Sequence, residues 1–126
     1  MQTSIELVAA AALCATGLSH WRGARAWAAL FTRWAELGEA GALMNGMLHA
    51  GVGGAVVAAH PIFRGGAALL TIWALLVLAK GLIYLVFPSF GLRQMERMTP
   101  ERAHGLRWIG LPMIALGVAI GSIAIA

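Results

Sequence analysis

The sequence predicts an all-α integral membrane protein with four transmembrane helices and two amphipathic interfacial helices. Three observations predict it. The 126 residues are 60% hydrophobic and only 11% charged, with a mean hydropathy of +0.81, which separates membrane proteins from soluble domains. The stretch Ala67 to Phe87, AALLTIWALLVLAKGLIYLVF, carries one charge, and a helix of about twenty residues crosses the roughly 30 Å hydrocarbon core of a bilayer. The arginines gather in two of the three connections between apolar segments, the arrangement that orients a multi-pass chain.

Charge and cysteine usage narrow the function classes. A formal charge of +4 and a pI near 10.7 would suggest nucleic acid in a soluble protein. Here the basic residues adjoin apolar spans, where they set orientation and meet anionic lipid headgroups, so no nucleic-acid partner is expected. Cys14 is the single cysteine, which excludes an intrachain disulfide and a thiolate metal site.

The first span runs over about residues 5–21. Its small residues around Cys14 resemble a signal peptide, yet no Lys or Arg precedes the run and Glu6 stands where a positive charge belongs, so it reads as a retained helix. Arg22 to Glu39 follows as an amphipathic helix. Trp27, Leu30, Phe31 and Trp34 recur at one helical face, with Arg22, Arg25, Thr32, Arg33 and Glu36 opposite, which predicts a helix lying flat in the headgroup layer.

The second span, about 40–60, carries Ala42, Gly46, Ala50, Gly54 and Ala58 at intervals of four, a ridge along which another helix can approach closely. Pro61 ends it, and residues 61–66 form a tight return. The third span, 67–87, is closed by Pro88. Residues 89–98 read as a second interfacial helix with Leu92, Met95 and Met98 inward and Arg93, Glu96 and Arg97 outward. Thr99, Pro100 and Glu101 are a helix start signal. The fourth span, about 103–125, contains Pro112 as a predicted kink and the pair Gly117 and Gly121.

The basic residues make both long connections cytoplasmic and both termini periplasmic, in a bacterial inner membrane. The whole chain, 1–126, is one membrane domain in which the order span, basic linker, span occurs twice. Halves 1–62 and 65–126 align at an offset of 64, pairing Gly17 with Gly81, Gly41 with Gly105, Gly46 with Gly110 and Gly53 with Gly117. The repeat rests on the order of elements more than on these identities, and it predicts a pseudo-two-fold axis along the membrane normal.

In the second half, AKGLIYLVFP, the short basic linker ending in MTPERAHGLRWIG, and LGVAIG resemble the small YjeT-like inner-membrane proteins, a family of unknown function built from two spans with an FP-containing link. In the first half Gly23 and Ala24 stand where Phe87 and Pro88 would. The resemblance implies an inner-membrane protein and carries over no catalytic residue.

Ionisable groups inside a bilayer are the default site candidates. Lys80 is either an anchor that snorkels to the cytoplasmic side beside Tyr84, or a cation for a partner's carboxylate, a lipid phosphate or a transported anion. His49, near mid-membrane and one turn from Asn45, is a neutral imidazole hydrogen-bonded to a carbonyl or to Asn45, an axial ligand to haem or chlorophyll, or a proton relay. No cofactor is the leading expectation, and no metal site is predicted. Among the other histidines only His20 and His104 share a depth at which two could hold a haem. There is no Asp, and no hydrolase, zinc or nucleotide motif, so an enzyme is not expected. The expected role is a non-catalytic accessory or scaffolding subunit of a larger membrane complex of respiratory or photosynthetic type. The alternatives are a small homodimeric transporter or channel lined by Lys80, His49 and Asn45, and a single haem- or chlorophyll-ligating subunit.

Overall fold

A computed structural model describes all 126 residues, and every element in it is helical. In order these are α1 (Gln2–Arg22), α2 (Ala24–Glu36), α3 (Glu39–Ala59), α4 (Ala68–Val86), α5 (Pro88–Glu96), a 3₁₀ turn (Pro100–Arg102) and α6 (Ala103–Ile125). Three segments are long and apolar enough to cross a membrane: Glu39–Ala59, Ala68–Val86 and Pro100–Ile125. The expected first span is a helix of 21 residues but is not one of the three. Its alanines and its Gln2, Thr3, Ser4, Glu6, Thr16, Ser19 and His20 dilute the leucines.

The helix ends follow local chemistry. Gly23 separates α1 from α2, and Gly38, at φ +63°, turns α2 into α3 with a backbone that side chains rarely adopt. A Cβ at Gly41 would run into the Trp34 carbonyl, so this corner closes only around a glycine. α3 stops two residues before Pro61, with His60 as its cap, and Pro88 opens α5 at the helical position where its missing N–H does no harm. α6 runs through Pro112 as one helix.

Packing pairs the long helices in two antiparallel couples, α1 with α6 and α3 with α4. In the first, Gly17 lies against Gly110 and Ile114, and Gly117 lies against Ala10 and Cys14. In the second, Gly46 lies against Gly81 and Leu85, Gly81 against Gly46 and Ala50, and Gly53 against Ala74 and Leu78. Ala10, Leu13, Leu70 and Ile120 join the two couples in a small core. The ridge expected on α3 therefore changes track along the helix. Ala42, Gly46 and Ala50 face neighbours, but then Gly53 takes over, while Gly54 meets only a Leu78 methyl at 3.9 Å and Ala58 is exposed. A four-residue step overshoots one turn of 3.6 residues, so an i+4 row drifts off a straight contact line. On α6, Gly121 meets the Ala10 Cβ at ordinary contact distance, 3.5 Å.

α2 and α5 cap one end of the couples. α2 differs from expectation in its inward face, which is Ala24, Ala28 and Thr32. The two alanines are buried with Ala103 and Leu106, and the Thr32 hydroxyl donates to the Ala28 carbonyl at 3.0 Å. Trp27, Phe31 and Trp34 lie about 90° round the helix from that face and are half-buried, with Arg22, Arg25, Arg33 and Glu36 exposed. On α5, Gly91 and Met95 are buried and Arg93 and Glu96 are exposed.

Candidate functional site

Two polar assemblies interrupt the apolar helices. The first lies on α3 and α4. His49 Nδ1 is 2.9 Å from the Asn45 carbonyl one turn earlier. A carbonyl only accepts, so Nδ1 carries the proton and Nε2 of the neutral ring is an acceptor. Lys80 Nζ lies 2.9 Å from that Nε2 and 5.5 Å from the centroid of the Tyr84 ring. Helical side chains lean toward the N-terminus, which on α4 carries the Lys80 ammonium away from the nearer helix end and onto His49. Lys80 is exposed and His49 half-buried, so the pair sits on the outer side of the α3–α4 couple.

Asn45 does not join this pair through its side chain. Its amide is buried under α5, where Nδ2 donates to Met95 Sδ at 3.4 Å and Oδ1 has no hydrogen-bond partner. Tyr84 is also buried, against Gly91 and edge-on to Phe90. The expected constellation of Lys80, His49, Asn45 and Tyr84 is thus divided. Lys80, His49 and the Tyr84 ring meet, and the Asn45 amide faces the interior.

The second assembly, at the opposite end of the couples from α2 and α5, joins α1, the α3 terminus and α4. His60 Nε2 lies 2.9 Å from Glu6 Oε1, and His60 Nδ1 lies 3.1 Å from Thr71 Oγ1. The Thr71 hydroxyl spends its one proton on the His60 carbonyl at 2.6 Å and also accepts the Ile62 N–H at 3.2 Å. Nδ1 must therefore be the donor to Thr71. One further proton lies between Nε2 and Glu6, in an imidazolium–carboxylate or an imidazole–carboxylic acid arrangement. Glu6, His60 and Thr71 are all buried, with His60 and Thr71 at 0% exposure.

Neither Glu6 nor His60 was among the site candidates that the sequence suggested. The signal was available: alternating spans bring the start of the first helix and the end of the second to the same end of the molecule.

The arginine-rich end is organised by aromatic rings. His20 is buried, stacked on Trp27 at 4.2 Å, with Nδ1 donating to the Thr16 carbonyl at 2.9 Å, and Trp27 donates to the Ser19 hydroxyl at 2.9 Å. His104 is engaged separately, accepting the Trp108 indole N–H at 3.0 Å. Arg107 lies 5.4 Å from the Trp21 ring. Arg25, His104 and Arg107, with Glu101, line a recess of about 230 Å³. No cluster of three metal-ligating side chains occurs.

Comparison with known proteins returns no relative: no family model, no curated protein and no solved structure matches this chain.

Proposed function

We propose that the chain spans a bacterial inner membrane four times and serves as a non-catalytic accessory or scaffolding subunit of a larger membrane complex. The reading counts α1 as the fourth span, which its length and its antiparallel seat on α6 support. Arg22, Arg25, Arg33, Arg93, Arg97, Arg102 and Arg107 are exposed at the α2–α5 end, with Arg64 alone at the other. That asymmetry supports a cytoplasmic α2–α5 end and periplasmic termini. The exposed arginines beside tryptophan rings suit anionic headgroups.

The reading also includes a tandem repeat of two spans, and the glycine contacts support it. Adding 64 to Ala10, Cys14 and Gly17 gives Ala74, Leu78 and Gly81, and adding 64 to Gly46, Ala50 and Gly53 gives Gly110, Ile114 and Gly117. Gly17 on Gly110 and Ile114 corresponds to Gly81 on Gly46 and Ala50. Gly117 on Ala10 and Cys14 corresponds to Gly53 on Ala74 and Leu78. Each half thus lends one helix to each couple, as a pseudo-two-fold axis along the membrane normal requires.

The observation that carries the accessory role is the outward placement of Lys80 and His49. A polar pair facing outward within a span is costly unless another subunit covers it. Gentle detergent extraction from native membranes, followed by native mass spectrometry and an absorbance scan of the same peak, tests the role. Co-migration with a larger assembly is expected, and a colourless homodimer alone would overturn it. The scan also tests haem or chlorophyll ligation by His49, whose Nε2 would have to exchange Lys80 for the metal.

A second reading, a small homodimeric transporter, is favoured by the buried Glu6 carboxylate and its shared proton with His60. Flux in proteoliposomes that falls in Glu6→Gln would support it.

A further inference from the structure

We infer that Lys80 and His49 form a docking point for a transmembrane helix of a different protein, one that carries an Asp or Glu at mid-bilayer depth. The inference rests on the accessory-subunit reading and names the partner's chemistry.

Depth comes first. His49 lies ten residues from the start of α3, about 15 Å along the axis, and Lys80 six residues from the end of α4, about 9 Å. Since Nζ is held at His49 rather than at the near boundary, the ammonium sits within the hydrocarbon layer. It has one acceptor, His49 Nε2, and one ring face, Tyr84, for three N–H groups and a full charge. Neither neighbour is an anion, so the charge is solvated in part but not balanced.

The chain itself cannot balance it. Its five carboxylates are Glu6, Glu36, Glu39, Glu96 and Glu101. Glu6 is engaged with His60 at the periplasmic end, and the other four belong to the cytoplasmic end. A second copy of this chain therefore brings no carboxylate to the depth of Lys80. A lipid phosphate lies in the headgroup layer, beyond the boundary from which Lys80 is directed away. What remains is a carboxylate on a foreign helix.

Packing does not explain the pair either. The positions 64 residues from Lys80 and His49 are Thr16 and Met113, and the α1–α6 couple closes around its glycines without an ion. The polar pair is thus an addition to one half of the repeat. The surface around it suits a helix: Leu76, Ile83 and Phe87 are exposed at 67%, 45% and 60% along the Lys80 stripe of α4. That stripe runs into a recess of about 360 Å³ lined by Ile83, Phe87, Phe90 and Arg93.

The test uses the full chain, reconstituted in phosphatidylcholine vesicles at neutral pH with a fluorescent Leu/Ala transmembrane peptide bearing one central Asp, against the same peptide bearing Asn. Energy transfer should report association with the Asp peptide stronger by roughly tenfold or more, lost in Lys80→Met and kept in Lys80→Arg. Lys80→Glu should instead select a peptide with a central Lys, which separates lost charge pairing from misfolding. Equal association of the Asp and Asn peptides, or undiminished association in Lys80→Met, would overturn the inference. If the peptides fail while the chain still co-migrates with a larger complex, the accessory reading stands and the docking point lies elsewhere.

Discussion

His60 Nε2 and Glu6 Oε1 lie 2.9 Å apart, buried, and join residues 54 positions apart in the sequence. Through this contact the first turns of α1 are tied to the end of α3, and through Thr71 to the start of α4. Lost partners here leave polar groups buried, and the energetic consequence is larger than for a surface pair.

Replacing His60 with Ala leaves the Glu6 carboxylate without its partner and should cost about 3–5 kcal/mol of stability. Glu6→Gln should be far milder, within about 1 kcal/mol, because the amide N–H can donate to a neutral Nε2. Thermal unfolding in detergent, followed by circular dichroism, measures both. A Glu6→Gln variant as unstable as His60→Ala would contradict the proton arrangement.

Thr71 is the hub of three hydrogen bonds. Thr71→Val strands the buried His60 Nδ1–H, while the His60 carbonyl and the Ile62 N–H lose the hydroxyl but keep their bond to each other at 3.0 Å, and it should cost about 1–3 kcal/mol. Thr71→Ser keeps the hydroxyl and should recover most of it. The comparison is a melting-temperature series, and equal loss in both variants would assign the effect to the methyl group instead.

The glycine crossings should respond as matched pairs. Gly46→Leu and Gly110→Leu each place a side chain where a backbone now sits, and overpacking of this kind costs about 1–3 kcal/mol. Gly54→Leu, outside the crossing, should stay within about 0.5 kcal/mol of the parent. Unequal losses at Gly46 and Gly110 would count against the repeat.

Orientation is open to labelling. In a Cys14→Ser background, a membrane-impermeant maleimide applied to intact cells should modify Phe63→Cys and spare Arg25→Cys. The reverse pattern would invert the assigned topology.

The helical segments were legible in the sequence because hydropathy, Pro61, Pro88 and the Thr99–Pro100–Glu101 start signal act locally, whereas the turn at Gly38 was not, the amphipathic helix being expected to run on to Glu39. The inward face of α2 was not legible either. Its aromatic stripe dominates the periodicity, yet Ala24 and Ala28 are what α6 covers, since small residues permit the closest backbone approach. The drift from Gly54 to Gly53 is likewise invisible until the partner's path is known.

The candidate site divides in the same way. That Lys80 and His49 are ionisable groups inside apolar helices is a property of the sequence alone. That Nζ meets Nε2, while the Asn45 amide turns toward Met95, depends on how α3 is rotated against α4.

From the sequence by itself came the apolar helices and most of their ends, together with the expectation of an orientation set by the arginines and of a repeated order of elements. Tertiary structure alone decided that α1 pairs with α6 and α3 with α4, and so which buried polar groups meet. The physical reason is that apolar helices attract one another almost indifferently in a bilayer. Partner choice falls to the fit of notch into notch, Gly17 with Gly110 and Gly46 with Gly81, which is a relation between distant residues and not a property of either one.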